Sequence, residues 1–504
     1  MIPASLSRFL AARQSRALVA LAAGAGAVSG FSPTGLPWLT SICLVALFAV
    51  WLRTPAPREA ALNGFLFGLG LFGAGASWVY VSLHQFGMMP APLAAAATAV
   101  FCVYLSLFPA LAGSLQARLD CPQWIQATLL APGLWVLSEW MRSWLLTGFP
   151  WLAMGYSQID TPLAGYAPLL GVYGVSLAFA LVAGCVAAAC LPGPARTRKA
   201  LAATALILAG TGAVLREVEW VTAQGDPVPV ALVQGNIPQS MKFEPEQYES
   251  TLATYKRMVG DSRHAQLIVL PETAVPRFLD LVDPSYLDDL KEIARRRGGD
   301  LLLGAPFRNS AGSYFNGVVN LGHSELQFYA KSHLVPLGEF VPSEFKWIVG
   351  ILHIPLSDFS RGILARPLLA AGERVGITVC YEDAFGEELI AQLPEATLLA
   401  NMSNVAWFGD SLAPGQHLQI SRMRSVETGR FMLRATNTGV TAIINERGRV
   451  VAELPLFTQG VLEGKAQPYV NATPYVRAGN FLVLAVCALL IAAGVLISMR
   501  RRQI

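Results

Sequence analysis

Charge is what this 504-residue chain has least of: only 14% of residues are Asp, Glu, Lys or Arg, while 54% are hydrophobic. With a mean hydropathy of +0.47, the chain is too apolar for a soluble protein of this length, and membrane spans are expected. Acidic residues are scarcer still in the two flanks. Seven of the 33 precede residue 227, none follows Glu463, and the other 26 crowd into the stretch between. Cysteine is also sparse where it matters: seven in all, but only Cys380 lies between 227 and 470, which rules out a disulfide within that stretch. The six histidines are scattered, and no Cys/His pair has ligand spacing, so no metal site is expected. No phosphate-cradling glycine loop occurs, and no cofactor is implied.

What the flanks do have is long apolar runs. Eight candidate spans begin near Ala17–Gly30, Leu36–Leu52, Ala61–Leu83, Ala91–Leu115, Trp124–Leu145, Leu163–Leu191, Ala200–Leu215 and Phe481–Met499. The first resembles a signal peptide but is read as a retained helix, because a second span follows at once. Basic residues set the orientation. Arg8, Arg13 and Arg16 precede span one, and Arg53 and Arg58 separate spans two and three. Arg118, then Arg196, Arg198 and Lys199, then Arg500 to Arg502 fall on the same side, whereas loops 31–35 and 84–90 carry no Lys or Arg. The basic side is the cytoplasmic one, so these charges track membrane sidedness rather than nucleic acid. Both termini are then cytoplasmic, and in a bacterium residues 227–470 face the periplasm from the inner membrane. The expected organisation is spans one to seven over 1–226, a polar domain over 227–470, and span eight with a basic tail over 471–504.

From Val228 onward, short β-rich runs alternate with polar helical stretches. Strands are expected at Val228–Val233, Leu267–Leu270, Leu301–Ala305, Val318–Leu321, Leu326–Ala330, Arg374–Val379, Thr397–Ala400, Thr441–Ile444 and Val450–Leu454. Helices are expected at Pro245–Asp261, Tyr286–Arg297 and His417–Glu427. That alternation predicts a layered α/β domain with reactive groups at strand ends.

Three residues stand at such ends. Glu272 follows Leu267–Pro271, Lys331 follows Leu326–Ala330, and Cys380 follows Val375–Val379. Singly each has a bland explanation: a solvated loop Glu, an edge Lys, a buried thiol used as a small hydrophobe. Together they make a chemistry. A thiol needs a base within reach, which a Glu beside an apolar wall, with raised proton affinity, supplies. A Lys stabilises the thiolate and a tetrahedral oxyanion. Outside this trio, Glu139 and Arg142 are spaced i, i+3 in span five, where charges are paired or functional; a head-group contact is the sharper reading. The apolar stretch Phe340–Phe359 is expected to form a lid lying on the membrane.

The segments Leu-Pro-Glu272-Thr, Lys331-Ser-His-Leu-Val-Pro-Leu-Gly-Glu339-Phe and Val-Cys380-Tyr-Glu382-Asp resemble the Glu-Lys-Cys motifs of the nitrilase superfamily. With Gln234-Gly-Asn-Ile-Pro-Gln-Ser-Met-Lys242, Pro336–Pro342, Gly148-Phe-Pro-Trp151 and eight spans, the chain more closely resembles that superfamily's membrane-embedded branch, the apolipoprotein N-acyltransferases. The resemblance implies a polytopic helical bundle with an inserted αββα sandwich. It also implies a ping-pong transfer of an acyl chain from a phospholipid, chiefly phosphatidylethanolamine, through a cysteine thioester to the α-amino group of a diacylated apolipoprotein. Carried over, Cys380 is the nucleophile, Glu272 the base and Lys331 the stabilising cation. Glu339 supports the site, Tyr381 supplies an oxyanion N–H, and Tyr381 and Glu382 match positions the family needs. Phe243, Trp407 and Trp151 are candidate substrate contacts, and the chain is expected to act as a monomer. Two positions depart from the family: Phe243 stands where Trp is expected, and Val405 where Asp is common. The alternatives are a membrane-anchored nitrilase-like amidase, or a transporter or receptor whose outer domain is not catalytic.

Overall fold

The computed structural model describes residues 12–242, 244–336, 338–341, 358–363 and 366–502. Phe243 and most of the expected lid, 342–357, therefore lie outside the described residues. The chain divides into two compact units, Met1–Val218 with Arg477–Ile504, and Glu219–Val476.

The first unit is helical: α1 (Arg13–Ala27), α2 (Pro37–Trp51), α3 (Pro57–Gly75), α4 (Ala91–Ala117), α5 (Ala131–Arg142), α6 (Ala167–Ala189) and α7 (Ala195–Arg216). Among the described residues, four helical stretches are long and apolar enough to cross a bilayer: Ala91–Ala117, Pro162–Ala189, Ala195–Arg216 and Phe481–Arg501. A fifth results if Pro57–Gly75 and Trp78–Phe86, bent by 47° between them, count as one span. The others expected from the sequence are shorter or mixed in polarity: α1 and α2 have 15 residues each, and Gln123–Arg142 includes a π-turn at Gln126–Leu130. Small residues let these helices touch: a Cβ on Gly64 would sit 2.3 Å from the Pro109 carbonyl oxygen of α4.

The second unit holds α8 (Pro245–Asp261), α9 (Pro284–Arg295) and α10 (Ala413–Thr428); the last helix in sequence, α11 (Phe481–Arg502), belongs to the first unit. Its strands are β1 (Val228–Gln234), β2 (Leu267–Val269), β3 (Asp300–Arg308), β4 (Tyr314–Gly322), β5 (Gln327–Ala330), β6 (Leu368–Ala370), β7 (Glu373–Val379), β8 (Leu398–Ser403), β9 (Met432–Thr436), β10 (Thr441–Ile444), β11 (Val450–Leu454) and β12 (Gly460–Ala466). They form two six-stranded sheets, β12-β1-β2-β3-β4-β5 and β6-β7-β8-β9-β10-β11, and a separate short antiparallel pair joins Thr222–Ala223 to Tyr469–Val470. Each sheet carries three adjacent parallel strands, β1-β2-β3 and β7-β8-β9, flanked by antiparallel ones.

Period-two alternation builds the layers. Val230 and Leu232 of β1 pack with Val375, Ile377 and Val379 of β7 in one core between the sheets. Their neighbours Ala231 and Val233 face outward onto Leu252, Tyr255, Met258 and Leu290 of α8 and α9. Leu399 and Met432 do the same for the second sheet. The result is the αββα sandwich implied by the resemblance. Helix ends follow local chemistry: Asp283 caps α9 through its carboxylate on the Ser285 N–H at 2.9 Å, and α10 stops at Gly429, whose φ is 65°.

Candidate active site

Sheet direction brings the reactive residues to one edge. Glu272 lies just beyond the carboxyl end of β2, and Lys331 directly follows β5, which runs the same way as β3 because two antiparallel pairings separate them. Asn316, near the start of the reversed strand β4, reaches the same edge, where its carbonyl accepts from the Lys331 N–H at 2.9 Å. Cys380 directly follows β7 and opens the one-turn helix Cys380–Ala384 with φ 55°, a left-handed backbone that turns the chain sharply off the strand.

The cluster is closely bonded. Asn316 Nδ2 donates to Glu272 Oε1 at 2.8 Å and to Glu339 Oε1 at 2.7 Å, so one amide holds both carboxylates. Lys331 Nζ lies 2.9 Å from Glu339 and 3.5 Å from Glu272 Oε1. The Val335 N–H donates to Glu339 Oε2 at 2.8 Å, and the Asn404 N–H donates to Glu272 Oε2 at 2.8 Å. All of this is out of water: Lys331 is 1% exposed, Glu272 7% and Cys380 8%. The backbone behind Glu272 is equally tight, since a Cβ on Gly304 of β3 would come within 2.3 Å of the Pro271 carbonyl oxygen and 2.8 Å of Glu272 Cα.

Electrostatics divide the labour. Burial alone would push the Glu272 carboxyl up, but the Lys331 charge, the Asn316 hydrogen bond and Lys242 outweigh it and hold it below the ordinary carboxylate range. This corrects the expectation of a raised proton affinity: an apolar wall is present, but two cations and an amide face the carboxylate. Burial likewise opposes the Lys331 charge, yet Glu339 and Glu272 raise its proton affinity above that of an ordinary lysine. The Cys380 thiol is pushed well up, first by burial and then by the Glu272 charge, with Lys331 opposing. The resting site is therefore an ionised Glu272 beside a protonated thiol.

Glu382 clamps the two halves together. It accepts from the Tyr329 hydroxyl and the Val379 N–H at 2.7 Å each, from the Ser332 N–H at 2.6 Å and hydroxyl at 2.9 Å, and from the His333 N–H at 3.0 Å. It thus ties the turn after Lys331 to the strand leading into Cys380. Burial raises its proton affinity, with the Lys331 charge opposing. The Tyr381 ring packs edge-on to Phe385 at 5.0 Å, and His333 stacks on Phe385 at 3.5 Å.

Beneath Cys380 lies a buried network that the sequence did not single out. Asn401 Nδ2 donates to the Cys380 carbonyl at 3.0 Å, while its Oδ1 accepts from Arg434 Nη1 at 2.7 Å. Arg434 Nη1 also lies 3.6 Å from Asp383, which bonds His417 Nε2 at 2.7 Å and the Ser421 hydroxyl. Burial, helped by the Arg434 charge, lowers the proton affinity of His417, so the network holds one acid and one guanidinium. Asn316 was missed as well; the signal was a pair of asparagines, Asn316 and Asn320, in the strand sequence of β4.

The remaining candidates fall elsewhere. Trp407 is 39% exposed in the turn Val405–Phe408 after β8, and Val405, 1% exposed, packs against Gly439. Glu139, Arg142 and Trp151 belong to the helical unit. There Glu139 Oε1 accepts from Trp135 Nε1 at 2.9 Å and the Met154 N–H at 2.8 Å. Arg142 donates to the Phe149 and Trp151 carbonyls at 2.5 Å each, which pins the Gly148–Trp151 segment to α5.

Two family models match, the apolipoprotein N-acyltransferase N-terminal domain over residues 23–185 and carbon-nitrogen hydrolase over 229–475. An apolipoprotein N-acyltransferase of Nitrosomonas europaea is 49% identical over 494 residues, covering 97% of this chain and 98% of that one. Relatives of the same name from Methylococcus capsulatus and Chromobacterium violaceum are 44% and 45% identical, each over 96% of this chain and over 96% and 94% of their own lengths. The chain belongs to the apolipoprotein N-acyltransferase family.

Proposed function

We propose that this protein is a membrane enzyme that transfers a fatty acyl chain from a phospholipid to the α-amino group of a diacylated lipoprotein, with Cys380 as the carrier. The observation that carries the site assignment is the buried Glu272–Asn316–Lys331–Glu339 cluster of one sheet, tied through Glu382 to the strand of the other sheet that leads into Cys380. Glu272, ionised and below ordinary carboxylate affinity, takes the thiol proton as Sγ attacks the ester carbonyl carbon. No resting thiolate is needed, because the thiol's own affinity is high. The carbon–sulfur bond forms and the carbonyl electrons move onto oxygen. Lys331 and the main-chain N–H groups after Cys380, that of Tyr381 first, meet the developing charge.

Collapse expels the glycerol oxygen, which takes the proton back from Glu272 and leaves as a lysophospholipid. In the second half the lipoprotein amine attacks the thioester carbonyl. Its proton passes to Glu272 and on to the departing sulfur, which leaves an amide on the acceptor and a free thiol. Glu339 orients Lys331, and Glu382 holds the two loops in register.

Eight crossings, with 227–470 on the periplasmic face of the inner membrane and both termini cytoplasmic, best fit the basic-residue pattern; the shorter helices then cross as broken or tilted segments. Phosphatidylethanolamine is the proposed donor, and Trp407, Phe243 and Trp151 are proposed lipid contacts. Intact-mass analysis after exposure to phosphatidylethanolamine in detergent tests the assignment. A long-chain acyl adduct on Cys380, absent from Cys380→Ala and Glu272→Ala, is expected. Small acyl adducts alone would favour the amidase alternative.

A further inference from the structure

The site contains a second lysine with no assigned role, and its hydrogen bonding differs from that of the first. An ammonium carries three donors. Those of Lys331 are committed: Nζ lies 2.9 Å from both Glu339 carboxylate oxygens and 3.5 Å from Glu272 Oε1. Turning Lys331 onto a new oxyanion means loosening one of these charged contacts.

Lys242 is 3% exposed, and its one acceptor among the described residues is the main-chain carbonyl of Glu272, at 3.2 Å. Among the described residues, then, a single neutral carbonyl faces a buried cation with three donors, an arrangement that native interiors complete with a ligand or an ordered water. The ammonium sits against the base's own backbone, at 3.2 Å from the Glu272 carbonyl, and its charge is felt by both the Glu272 carboxylate and the Cys380 thiol. Burial lowers its proton affinity to about 8 despite both of those groups, so the charge is present at neutral pH but held under strain.

Its loop is pinned rather than loose. The Ile237 N–H donates to Asn437 Oδ1 at 3.0 Å, Asn437 Nδ2 donates to the Ile237 carbonyl at 2.7 Å, and Asn404 Nδ2 donates to Gln239 Oε1 at 2.9 Å. Asn404 is also the residue whose N–H holds Glu272, so the lysine and the base share one anchor. A cation fixed in place, out of water and short of acceptors is arranged to stabilise charge that appears only during reaction.

We propose that Lys242 is a catalytic residue that hydrogen-bonds the carbonyl oxygen of the acyl group as it becomes an oxyanion in both tetrahedral intermediates. The ligand is the carbonyl oxygen of an ester in the first half-reaction and of a thioester in the second. Lys242 thereby adds donors to those of Lys331 and the Tyr381 N–H, so that Lys331 can meet the oxyanion while keeping most of its hold on Glu339 and Glu272. The inference rests on the reading of Cys380 as the acyl carrier.

The test separates acylation from alkylation. Attack of Cys380 on phosphatidylethanolamine passes through an oxyanion; attack on iodoacetamide expels iodide and does not. Lys242→Met and Lys242→Arg are compared with wild type in detergent for the rate of acyl-adduct formation and for Cys380 alkylation mapped by peptide mass. Lys242→Met is expected to lose about 100-fold or more in acylation, in line with the removal of one oxyanion donor. Its alkylation is expected to stay within about threefold of wild type, because Glu272 becomes no weaker a base and Lys331, the cation that chiefly favours the thiolate, is kept. Its melting temperature is expected to hold or rise, since an under-bonded buried charge is removed. Lys242→Arg, which keeps the cation, is expected to recover part of the acylation rate.

A parallel fall in alkylation and acylation, or a lowered melting temperature with acylation lost in both variants, would overturn the proposal and assign Lys242 a structural role. Acylation at the wild-type rate in Lys242→Met would overturn it too. Failure of wild type to form any long-chain adduct is a separate outcome that removes the acyl-carrier reading itself, and the Lys242 inference with it.

Discussion

Replacing Asn316 with alanine removes one amide that serves two carboxylates, and its consequences can be worked from the geometry. The bonds to Glu272 and Glu339, 2.8 Å and 2.7 Å, are charge-assisted and buried, each worth roughly 1.5–3 kcal/mol. Lys331 remains, but at 3.5 Å from Glu272 it lies too far to replace the lost donor without moving off Glu339. Glu272 then keeps one firm bond, the Asn404 N–H. The carboxylate can rotate away from the thiol, and a loss of about 2 kcal/mol in the transition state corresponds to roughly 30-fold in rate.

The sign of the pH effect follows from the same bond. The Asn316 hydrogen bond favours ionised Glu272 and lowers its proton affinity, so its removal raises that affinity. The acidic limb of acyl-enzyme formation should move to higher pH in Asn316→Ala, because the base becomes protonated sooner on acidification. Single-turnover adduct formation, followed by mass from pH 4 to 9 in detergent, reads both effects. A wild-type rate with an unmoved acidic limb would refute the assigned role of the amide.

Other outcomes follow from the clamp, the backbone and the network beneath the nucleophile. Glu382→Gln points an NH2 group at donors that now converge on carboxylate oxygens, so melting in detergent should fall by about 2–4 kcal/mol equivalent, with acylation lost; an unchanged melting curve would contradict the clamp. Gly304→Ala should lower acylation about tenfold or more by displacing Glu272, since the new Cβ meets the Pro271 carbonyl and Glu272 Cα; a neutral effect would show that the strand has room. Asn401→Asp keeps the size but sets an acceptor against the Cys380 carbonyl, so site-specific alkylation of Cys380 should slow; unaltered alkylation would mean that the network does not position the thiol.

Much of the α/β domain was legible in the sequence because its strands are short, β-branched and bounded by turns. β1, β7, β10 and β11 lie where alternation predicts them, within a residue or two at each end. β9 was not recognised, because Arg434 breaks the apolar pattern of Met432–Thr436; its guanidinium is buried only because Asp383 and Asn401, far apart in sequence, converge on it. β12 was missed for the opposite reason, since its half-exposed residues carry little signal.

The three strand-end residues were legible singly, as reactive types after apolar runs. Their common location depends on sheet pairing, which local sequence does not encode. The same holds for Asn316 and for the sign of the Glu272 shift: both need to know that β4 lies antiparallel between β3 and β5. In the helical unit, apolar runs located the helices, but length and breaks needed three dimensions. The π-turn at Gln126–Leu130 and the 47° bend after Gly75 leave no clear mark in hydropathy.

The central claim is that Cys380 carries the lipid's acyl chain on its way to an amine, and a pulse-chase measures it directly. Protein loaded with a labelled chain from phosphatidylethanolamine is freed of donor and mixed with a synthetic diacylated lipopeptide bearing a free α-amino group. The account predicts that the Cys380 adduct decays as the N-acylated lipopeptide appears, one for one, and that an N-acetylated lipopeptide leaves the adduct intact. Labelled product formed while the adduct persists, or by Cys380→Ala, would contradict it.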